Sequence, residues 1–123
     1  MPKGLGTDII EIGRIEKVIS RYGQKFLDRI FTPKEQEYCS KHRMSARHFA
    51  GRFAAKEAIA KALGTGISKD IHWTEIEIVN DEHGKPRVNF SQRISSVFDN
   101  PQCLLSISHC KEYASAVAIL LVE

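Results

Sequence analysis

The sequence has few cysteines, and their arrangement gives no sign of a covalently stabilised fold. The three cysteines, Cys39, Cys103 and Cys110, include no C-x-x-C pair, and their number is odd. Both features argue against a disulfide framework. Since unpaired thiols are typical of proteins in a reducing compartment, we predict a cytoplasmic location.

Long hydrophobic runs are also missing from the sequence. The N-terminal region has no apolar stretch of the length found in secretory signal peptides, so we expect none. The longest apolar run covers residues 114–122 and is interrupted by Ser115. Because a membrane-spanning helix needs about 20 apolar residues, we expect no membrane contact.

Aromatic residues are scarce, and the charges are nearly balanced. Only 8% of the residues are aromatic, and they are scattered rather than grouped into a base-stacking surface. The 18 lysines and arginines against 15 acidic residues give a net charge of +3. We therefore expect no nucleic acid partner, whereas an acidic protein or a polyphosphate ligand fits this weak charge. The chain length predicts one domain over residues 1–123.

The most informative segment, residues 52–66, reads RFAAKEAIAKALGTG. Its many alanines favour a helix, and Gly64 is placed to end it. Glu57 and Lys61 are four residues apart, so they lie on the same helix face. The small side chains around them would leave room for a ligand against this carboxylate and amine. The alternative is an ordinary solvated ion pair between Glu57 and Lys61 on a surface helix.

A second segment, residues 4–12, reads GLGTDIIEI and alternates as a β-strand does. The alternation places Asp8 on the same face as Ile10 and Ile12. A carboxylate on an apolar face has to be paired, hydrogen-bonded or bound to a metal ion. Asp8 is therefore a candidate site residue, and an aspartate that only accepts a hydrogen bond from a nearby backbone N–H is the alternative.

The rest of the chain alternates between helical and extended patterns. Apolar spacing and caps predict helices at residues 14–22 and 26–30, from Thr32, from a cap at Ser45 to Leu63, and after a cap at Ser91. Apolar alternation and runs predict strands at residues 74–79, 87–90, 104–109 and 113–122. The last strand is predicted to be central and to pair with its predecessor as a hairpin. The predicted class is α+β, with a small, mostly antiparallel sheet packed on one long helix.

Taken together, three segments resemble the holo-acyl-carrier-protein synthases: GTDIIEI, RFAAKEAIAKALGTG and SISHCKEYASAVAIL. This family is the small-subunit type of 4′-phosphopantetheinyl transferase. Two further segments, FTPKE at residues 31–35 and GKP at residues 84–86, occur where the family's order of motifs places them. The resemblance covers essentially the whole chain. It implies a 4′-phosphopantetheinyl transferase-like fold. It also implies transfer of 4′-phosphopantetheine from coenzyme A to a serine of apo acyl carrier protein, with release of 3′,5′-ADP, in fatty acid biosynthesis.

The resemblance implies a magnesium-dependent active site. In that site Asp8 and Glu57 would bind Mg²⁺, and Lys61 would stabilise charge on the transferred phosphoryl group. These three residues are together the implied catalytic residues. The implied coenzyme A site contains Arg52, Lys61, Gly64, Thr65, Gly66, Pro86 and His109. Each of them also has a structural alternative, as a salt bridge, helix cap or turn residue.

The same resemblance implies partners and an assembly. It predicts that Arg14 and Arg21 on the first helix dock an acidic apo acyl carrier protein, and that a homotrimer forms active sites between subunits. Four histidines match no functional motif and are predicted to be surface residues: His42, His48, His72 and His83. Two other interpretations of the chain are a non-catalytic module that binds coenzyme A or the carrier protein, and a structural homo-oligomer.

Overall fold

The computed structural model describes residues 1–67 and 71–121, which contain helices, strands and one 3₁₀ turn at Trp73–Glu75. The helices are α1 (Ile12–Tyr22), α2 (Gln24–Ile30), α3 (Pro33–Ser40), α4 (Ser45–Leu63) and α5 (Gln92–Val97). The strands are β1 (Pro2–Glu11), β2 (Ile76–Asn80), β3 (Pro86–Phe90), β4 (Gln102–His109) and β5 (Tyr113–Leu121). No helix in these described ranges combines the length and apolar character that a membrane crossing requires.

The strands form two antiparallel sheets. β1, β5 and β4 make a three-stranded sheet with β5 at its centre, and β2 pairs with β3 in the second sheet. The α+β class, the β4–β5 hairpin and the central position of the last strand are therefore confirmed. The predicted end of that strand, Val122, lies outside the described residues. α4 packs across the three-stranded sheet, and its buried alanines share one core with Ala116 and Ala118 of β5.

Small residues let α4 and β1 come into backbone contact. A Cβ added to Gly6 would lie 1.8 Å from the carbonyl oxygen of Ala58, and one added to Gly4 would lie 2.1 Å from that of Ala62. No side chain larger than hydrogen therefore fits at either glycine. Since β1 alternates as predicted, its inward face also carries Asp8, and the close approach brings that carboxylate to the helix.

Helix capping agrees with the prediction at two helices and differs at a third. Thr32 forms the predicted capping box with Glu35, and the Ser91 hydroxyl accepts a 3.2 Å hydrogen bond from a backbone N–H of α5. Ser45 is already the first residue of α4, and Met44 holds the cap position without a side-chain hydrogen bond. The prediction for Ser45 is wrong because its backbone is already helical, which takes its hydroxyl past the cap position.

At two predicted strand boundaries, helical structure takes the place of the strand. The 3₁₀ turn occupies the start of the strand predicted at residues 74–79, so β2 begins only at Ile76. At the other boundary, Ile12 begins α1 instead of ending β1, and its N–H donates a 2.8 Å hydrogen bond to the carbonyl oxygen of Glu112. Ile12 therefore enters the core from a helix, while the inward face of β1 stays as predicted.

A fully buried ion pair connects α3 to α4 beside the candidate site. Lys56 Nζ donates a hydrogen bond of 2.7 Å to Glu35 Oε1, and neither side chain is exposed. The same Nζ donates to the carbonyl oxygens of Ile30 and Trp73, each at 2.9 Å. Burial lowers the pKa of Lys56, and the neighbouring carboxylate opposes that shift. All three donors of the ammonium group are used, so this network fixes the turn of α4 that carries Glu57.

Candidate active site

Asp8 and Glu57 meet in one cleft, although they come from different elements, β1 and α4. The cleft measures about 270 Å³, and its lining includes both carboxylates, Arg14, and the rings of Phe26 and Phe53. The Asp8 side chain is 20% exposed, and Glu57 is half-buried. The structure therefore brings together the two residues that were predicted to bind the metal ion.

Lys61 reaches the Asp8 carboxylate from one turn further along α4. Its Nζ donates a hydrogen bond of 3.2 Å to Asp8 Oδ1 and one of 2.9 Å to the carbonyl oxygen of Thr7. Lys61 therefore forms its hydrogen bond with Asp8. It does not form the ion pair with Glu57 that their four-residue spacing on the helix had offered as the alternative. Because the Lys61 side chain is 49% exposed, water screens this pair, and the ammonium group can turn toward a phosphate at small cost.

The charge distribution around Glu57 favours a bound cation. Burial, and then the neighbouring Asp8 carboxylate, raise the pKa of Glu57, and Lys61 offsets part of that rise. Mg²⁺ takes oxygen ligands, commonly one or two carboxylates with waters and substrate phosphates supplying the rest. Among the described residues, no group of three or more His, Cys, Asp or Glu side chains could hold a metal ion. The two carboxylates are as many as a magnesium ion commonly takes from a protein, and its remaining ligands would come from substrate and water.

Arg52 lies on a different side of α4 from this cleft. Successive helix residues are about 100° apart, so Arg52 projects about 140° away from Glu57 around the helix axis. Its buried guanidinium lies 4.1 Å from the centre of the Tyr38 ring, and Nη2 donates a hydrogen bond to Asn80 Oδ1. Within one chain, Arg52 therefore does not join the carboxylate cleft.

Two other predicted coenzyme residues lie on the Arg52 side. Pro86 begins β3 and is the direct register partner of Asn80, whose side chain holds Arg52. The exposed ring of His109, at the end of β4, lies 6.0 Å from the ring of His48, which precedes Arg52 by one turn of α4. Three elements therefore bring Arg52, Pro86 and His109 to the same side of the molecule.

The segment from Gly64 to Gly66 forms the C-terminal cap of α4. Both glycines have left-handed backbone, with φ of 94° at Gly64 and 69° at Gly66. The N–H groups of Thr65 and Gly66 donate to the carbonyl oxygen of Ala60 at 3.3 and 3.1 Å. These residues therefore do form the helix cap that was the structural alternative to a coenzyme-binding role. A coenzyme-binding role for these three residues stays a prediction, and the space beside both glycines is open.

Arg14 and Arg21 are exposed on one face of α1. They are seven residues apart, which is close to two full helical turns. Arg14 lines the carboxylate cleft, whereas the Arg21 guanidinium lies 5.3 Å from the centre of the Tyr22 ring, further from the cleft along the helix. The two predicted carrier-docking residues therefore form a basic strip that leads to Asp8 and Glu57.

The prediction that His42 and His48 are surface residues is wrong. Both are half-buried, their rings stack with 4.0 Å between centroids, and His48 also lies 6.0 Å from His109. The other two histidines are exposed as predicted: His72 and His83. The sequence could have indicated that His48 lies beside Arg52, because the two residues are four apart and therefore share a helix face. The contact with His42 depends on how α3 and α4 fold together.

The chain matches known proteins along almost its whole length. The family model of the 4′-phosphopantetheinyl transferase superfamily matches residues 4–118. A holo-[acyl-carrier-protein] synthase of Protochlamydia amoebophila (strain UWE25) is 55% identical over 119 residues, which cover 97% of this chain and 98% of that protein. The family predicted from the motifs is therefore confirmed.

Solved structures of relatives share the fold. The crystal structure of holo-[acyl-carrier-protein] synthase from Neisseria meningitidis has a TM-score of 0.91 at 33% identity, covering 99% of this chain and 100% of that one. The Helicobacter pylori synthase in complex with coenzyme A has a TM-score of 0.88 at 35% identity, covering 95% of this chain and 99% of that one. Sequence, fold and the order of the motifs agree, and this chain belongs to the holo-acyl-carrier-protein synthase family of the 4′-phosphopantetheinyl transferase superfamily.

Proposed function

We propose that this chain transfers the 4′-phosphopantetheine group of coenzyme A to a serine of apo acyl carrier protein, releasing 3′,5′-ADP, in support of fatty acid biosynthesis. The observation that carries the proposal is that Asp8 and Glu57 line one cleft and that Lys61 donates a hydrogen bond to Asp8. Relatives carry the name of this activity, and one of them was solved with coenzyme A. We assign the activity to one domain over residues 1–123, acting in the cytoplasm.

The reaction requires positioning and charge stabilisation more than covalent catalysis by the protein. A magnesium ion held by Asp8 and Glu57 would neutralise charge on the phosphate oxygens. Lys61 turns its ammonium group from Asp8 to the phosphoryl oxygens as negative charge develops on them. The serine oxygen forms the new bond to phosphorus, and the bond from phosphorus to the oxygen of 3′,5′-ADP breaks.

Glu57, acting through a water molecule in the cleft, is the group that we propose accepts the serine proton. A general base works best when its pKa lies near the working pH. Burial and the Asp8 carboxylate move the pKa of Glu57 upward from that of an ordinary glutamate. The attraction of Lys61 offsets part of this rise, and a magnesium ion held at the cleft would lower the pKa of Glu57 further, so its carboxylate form would be available as a proton acceptor.

The carrier protein docks, in this proposal, along α1. Acyl carrier proteins of this family's reaction are acidic, and complementary charge steers such a partner and sets its orientation. Arg14 stands at the edge of the cleft and Arg21 lies further along the same helix face. A carrier held on both arginines would present its serine close to Glu57.

An exposed apolar face on the three-stranded sheet supports the proposed homotrimer. The side chains on the face away from α4 include Leu5 (70% exposed), Ile9 (67%), Leu104 (50%) and Val117 (43%). Leu5 and Leu104 both pair with Ile119 of β5, so the apolar row continues across all three strands. Grouped apolar side chains on a surface commonly mark a protein–protein interface.

The distribution of the coenzyme residues also supports sites between subunits. Asp8, Glu57 and Lys61 lie on one side of α4, and Arg52 and His109 lie on the other. A single coenzyme A molecule contacts both sets when the second set comes from a neighbouring subunit. We therefore propose that each active site of the homotrimer is completed by two chains.

The transfer is tested by weighing the carrier protein. The purified chain is mixed with coenzyme A, Mg²⁺ and apo acyl carrier protein, and the carrier is analysed by mass spectrometry. We expect it to gain one phosphopantetheinyl group, with the gain blocked by a chelator and restored by added Mg²⁺. A carrier of unchanged mass, beside a chain that binds coenzyme A, would instead indicate a non-catalytic binding module. Absence of both binding and transfer would indicate a structural homo-oligomer.

A further inference from the structure

Lys61 binds the carboxylate that the proposed function assigns to a metal ion. Its Nζ donates a hydrogen bond of 3.2 Å to Asp8 Oδ1, and among the described residues Asp8 forms no other ion pair. The Asp8 side chain is only 20% exposed, so the ammonium group replaces part of the solvation that water gives an open carboxylate. A divalent cation that approaches Asp8 therefore meets an oxygen that already has a cationic partner.

A backbone acceptor holds the ammonium group in this position. The carbonyl oxygen of Thr7, the residue before Asp8 on β1, accepts a hydrogen bond of 2.9 Å from the same Nζ. This oxygen carries no net charge, so it fixes where Lys61 rests without adding a ligand charge of its own. Because the Lys61 side chain is 49% exposed, the contact with Asp8 is specific in position but weak enough to be exchanged.

A second cation lines the same cleft without binding Asp8. Arg14 is exposed at the edge of the cleft and forms no ion pair with any described residue. Its charge acts on the cleft through space, whereas the charge of Lys61 also acts through a direct hydrogen bond. The two basic side chains therefore separate the effect of a nearby charge from the effect of the contact itself.

We propose that Lys61 and the metal ion compete for Asp8, and that the phosphates of coenzyme A relieve this competition by accepting the ammonium group. The inference rests on the proposed function, in which Asp8 and Glu57 hold the ion. A divalent ion at Asp8 places two positive charges beside the ammonium group, and their repulsion weakens both contacts. A phosphate oxygen at the cleft gives Lys61 a charged acceptor in exchange for the carboxylate.

The competition makes metal binding depend on coenzyme A. Without a phosphate acceptor, the ion has to break the contact between Lys61 and Asp8, and its affinity falls by the strength of that contact. With coenzyme A bound, Lys61 has already left Asp8, and this loss disappears. The two ligands then strengthen each other's binding by the same factor, in addition to any bond between the ion and a phosphate oxygen. Lys61 thus keeps the site from holding a divalent ion firmly before its substrate arrives.

The competition is measured with Mn²⁺ alone, which takes oxygen ligands as Mg²⁺ does and whose unbound fraction gives an EPR signal. Mn²⁺ is titrated into the unmodified full chain and into Lys61→Met. An exposed ion pair corresponds to at most about a fivefold change in an equilibrium constant, so Lys61→Met should bind Mn²⁺ about two- to fivefold more tightly. Arg14→Met is the matched control, and since salt screens its charge it should change the affinity less than about twofold.

Three results would overturn the proposal. The first is an equal Mn²⁺ affinity of Lys61→Met and the unmodified chain, and the second is an equal gain in Arg14→Met. The third is the absence of measurable Mn²⁺ binding by all of these chains, because Lys61 would then not be what limits the affinity.

A double-mutant cycle tests whether the gain comes through Asp8. Asp8→Asn removes the carboxylate for which the two cations compete, so adding Lys61→Met to that chain should raise the Mn²⁺ affinity less than about twofold. If the gain is as large in the Asp8→Asn chain as in the unmodified chain, it comes from the overall charge of the cleft, and the competition is refuted.

Coenzyme A supplies a further measurement. At saturation it should tighten Mn²⁺ binding more in the unmodified chain than in Lys61→Met, because only the unmodified chain has a contact with Asp8 to release. A protein-free titration corrects for the Mn²⁺ that coenzyme A binds in solution. An equal tightening in the two chains would contradict the role of the phosphates.

The carrier-mass assay separates this inference from the proposed function. Transfer by the unmodified chain, with a Mn²⁺ affinity that Lys61→Met does not raise, would remove the competition and leave the transferase activity standing. Tighter Mn²⁺ binding by Lys61→Met, with no transfer by the unmodified chain, would support the competition and remove the activity.

Discussion

The carbonyl oxygen of Ala58 occupies the space in which a side chain on Gly6 would begin, since an added Cβ would lie 1.8 Å from that oxygen. Gly6 precedes Asp8 by two residues, and Ala58 directly follows Glu57. The backbone contact therefore sets the distance between the two carboxylates of the cleft. A packing feature with no chemical role of its own positions the candidate metal ligands.

Gly6→Ala should be strongly destabilising, because β1 and α4 would have to move apart. Overpacking usually costs about 1–3 kcal/mol and occasionally more, and we expect at least about 3 kcal/mol here because the clash is with backbone. Gly13→Ala is the matched control on α1, where no atom lies within 4 Å of the added Cβ. It should stabilise the protein by about 0.5–1 kcal/mol. Urea unfolding measures both, and a Gly6→Ala variant of unchanged stability would contradict the backbone contact.

Asp8→Asn and Glu57→Gln should each abolish transfer while the protein stays folded. The reason is that each change removes one of the two carboxylates at the cleft. Glu82→Gln, at a site that is 86% exposed, is the matched control and should keep full activity. Initial rates over a series of Mg²⁺ concentrations, with circular dichroism, make the test. Near-normal activity of either variant in limiting Mg²⁺ would remove the metal assignment.

Glu57→Gln should also leave the thermal unfolding midpoint unchanged or raise it at neutral pH. Because the pKa of Glu57 is raised in the folded state, its ionised form destabilises the fold above that pKa, and the cost disappears as falling pH protonates the group. The uncharged amide removes this cost at every pH. Thermal melts at acid and neutral pH measure the change in unfolding midpoint that the substitution causes. A variant midpoint clearly lower than that of the unmodified protein at neutral pH would contradict the prediction.

Arg14→Ala should weaken use of the carrier protein more than Arg21→Ala does. Arg14 lines the cleft, and Arg21 lies further from it along the same helix face. Docking by complementary charge acts mainly on the association rate and depends on salt. The apparent KM of each substrate at low and high salt is the measurement. The docking surface lies elsewhere if Arg14→Ala changes only the apparent KM for coenzyme A. The same conclusion follows if the apparent KM for the carrier protein does not depend on ionic strength.

The same substitution at two lysines of α4 should have opposite effects. Lys56→Met leaves the fully buried Glu35 carboxylate without its charged partner, which typically costs about 3–5 kcal/mol of stability. Lys61→Met breaks an exposed pair, worth less than about 1 kcal/mol, but should abolish transfer. Urea unfolding and the carrier-mass assay distinguish the two roles. A stable Lys56→Met variant would show that the buried network does not hold α4 in place.

Leu5→Glu should dissociate the proposed homotrimer into monomers. A carboxylate at this position would place charge in the apolar row of the sheet, where burial at an interface is costly. Val97→Glu, at a position on α5 that is 59% exposed and outside this row, is the control and should not change the assembly. Sedimentation velocity reports the mass of each variant. A Leu5→Glu monomer with full transferase activity would rule out active sites shared between subunits.

The sequence by itself determined the class, the order of the elements and the family. Residues 4–12 alternate, so Asp8 was placed on the inward face of β1, and the alanine-rich composition of residues 52–66 predicted the helix that carries Glu57 and Lys61. Such patterns report the immediate surroundings of a residue, because helix and strand periods are local properties of the backbone. They predicted which residues face inward without saying which of them touch.

Tertiary structure decided the contacts. Lys61 could have paired with Glu57 four residues away, yet it bonds to Asp8, 53 positions distant in the chain. His48 meets His42 and His109 only because α3, α4 and β4 pack together. Contacts of this kind depend on how closely whole elements approach, which the carbonyl oxygen of Ala58 and the missing side chain of Gly6 set for β1 and α4. That approach is fixed by steric fit between segments distant in sequence, and no local period encodes it.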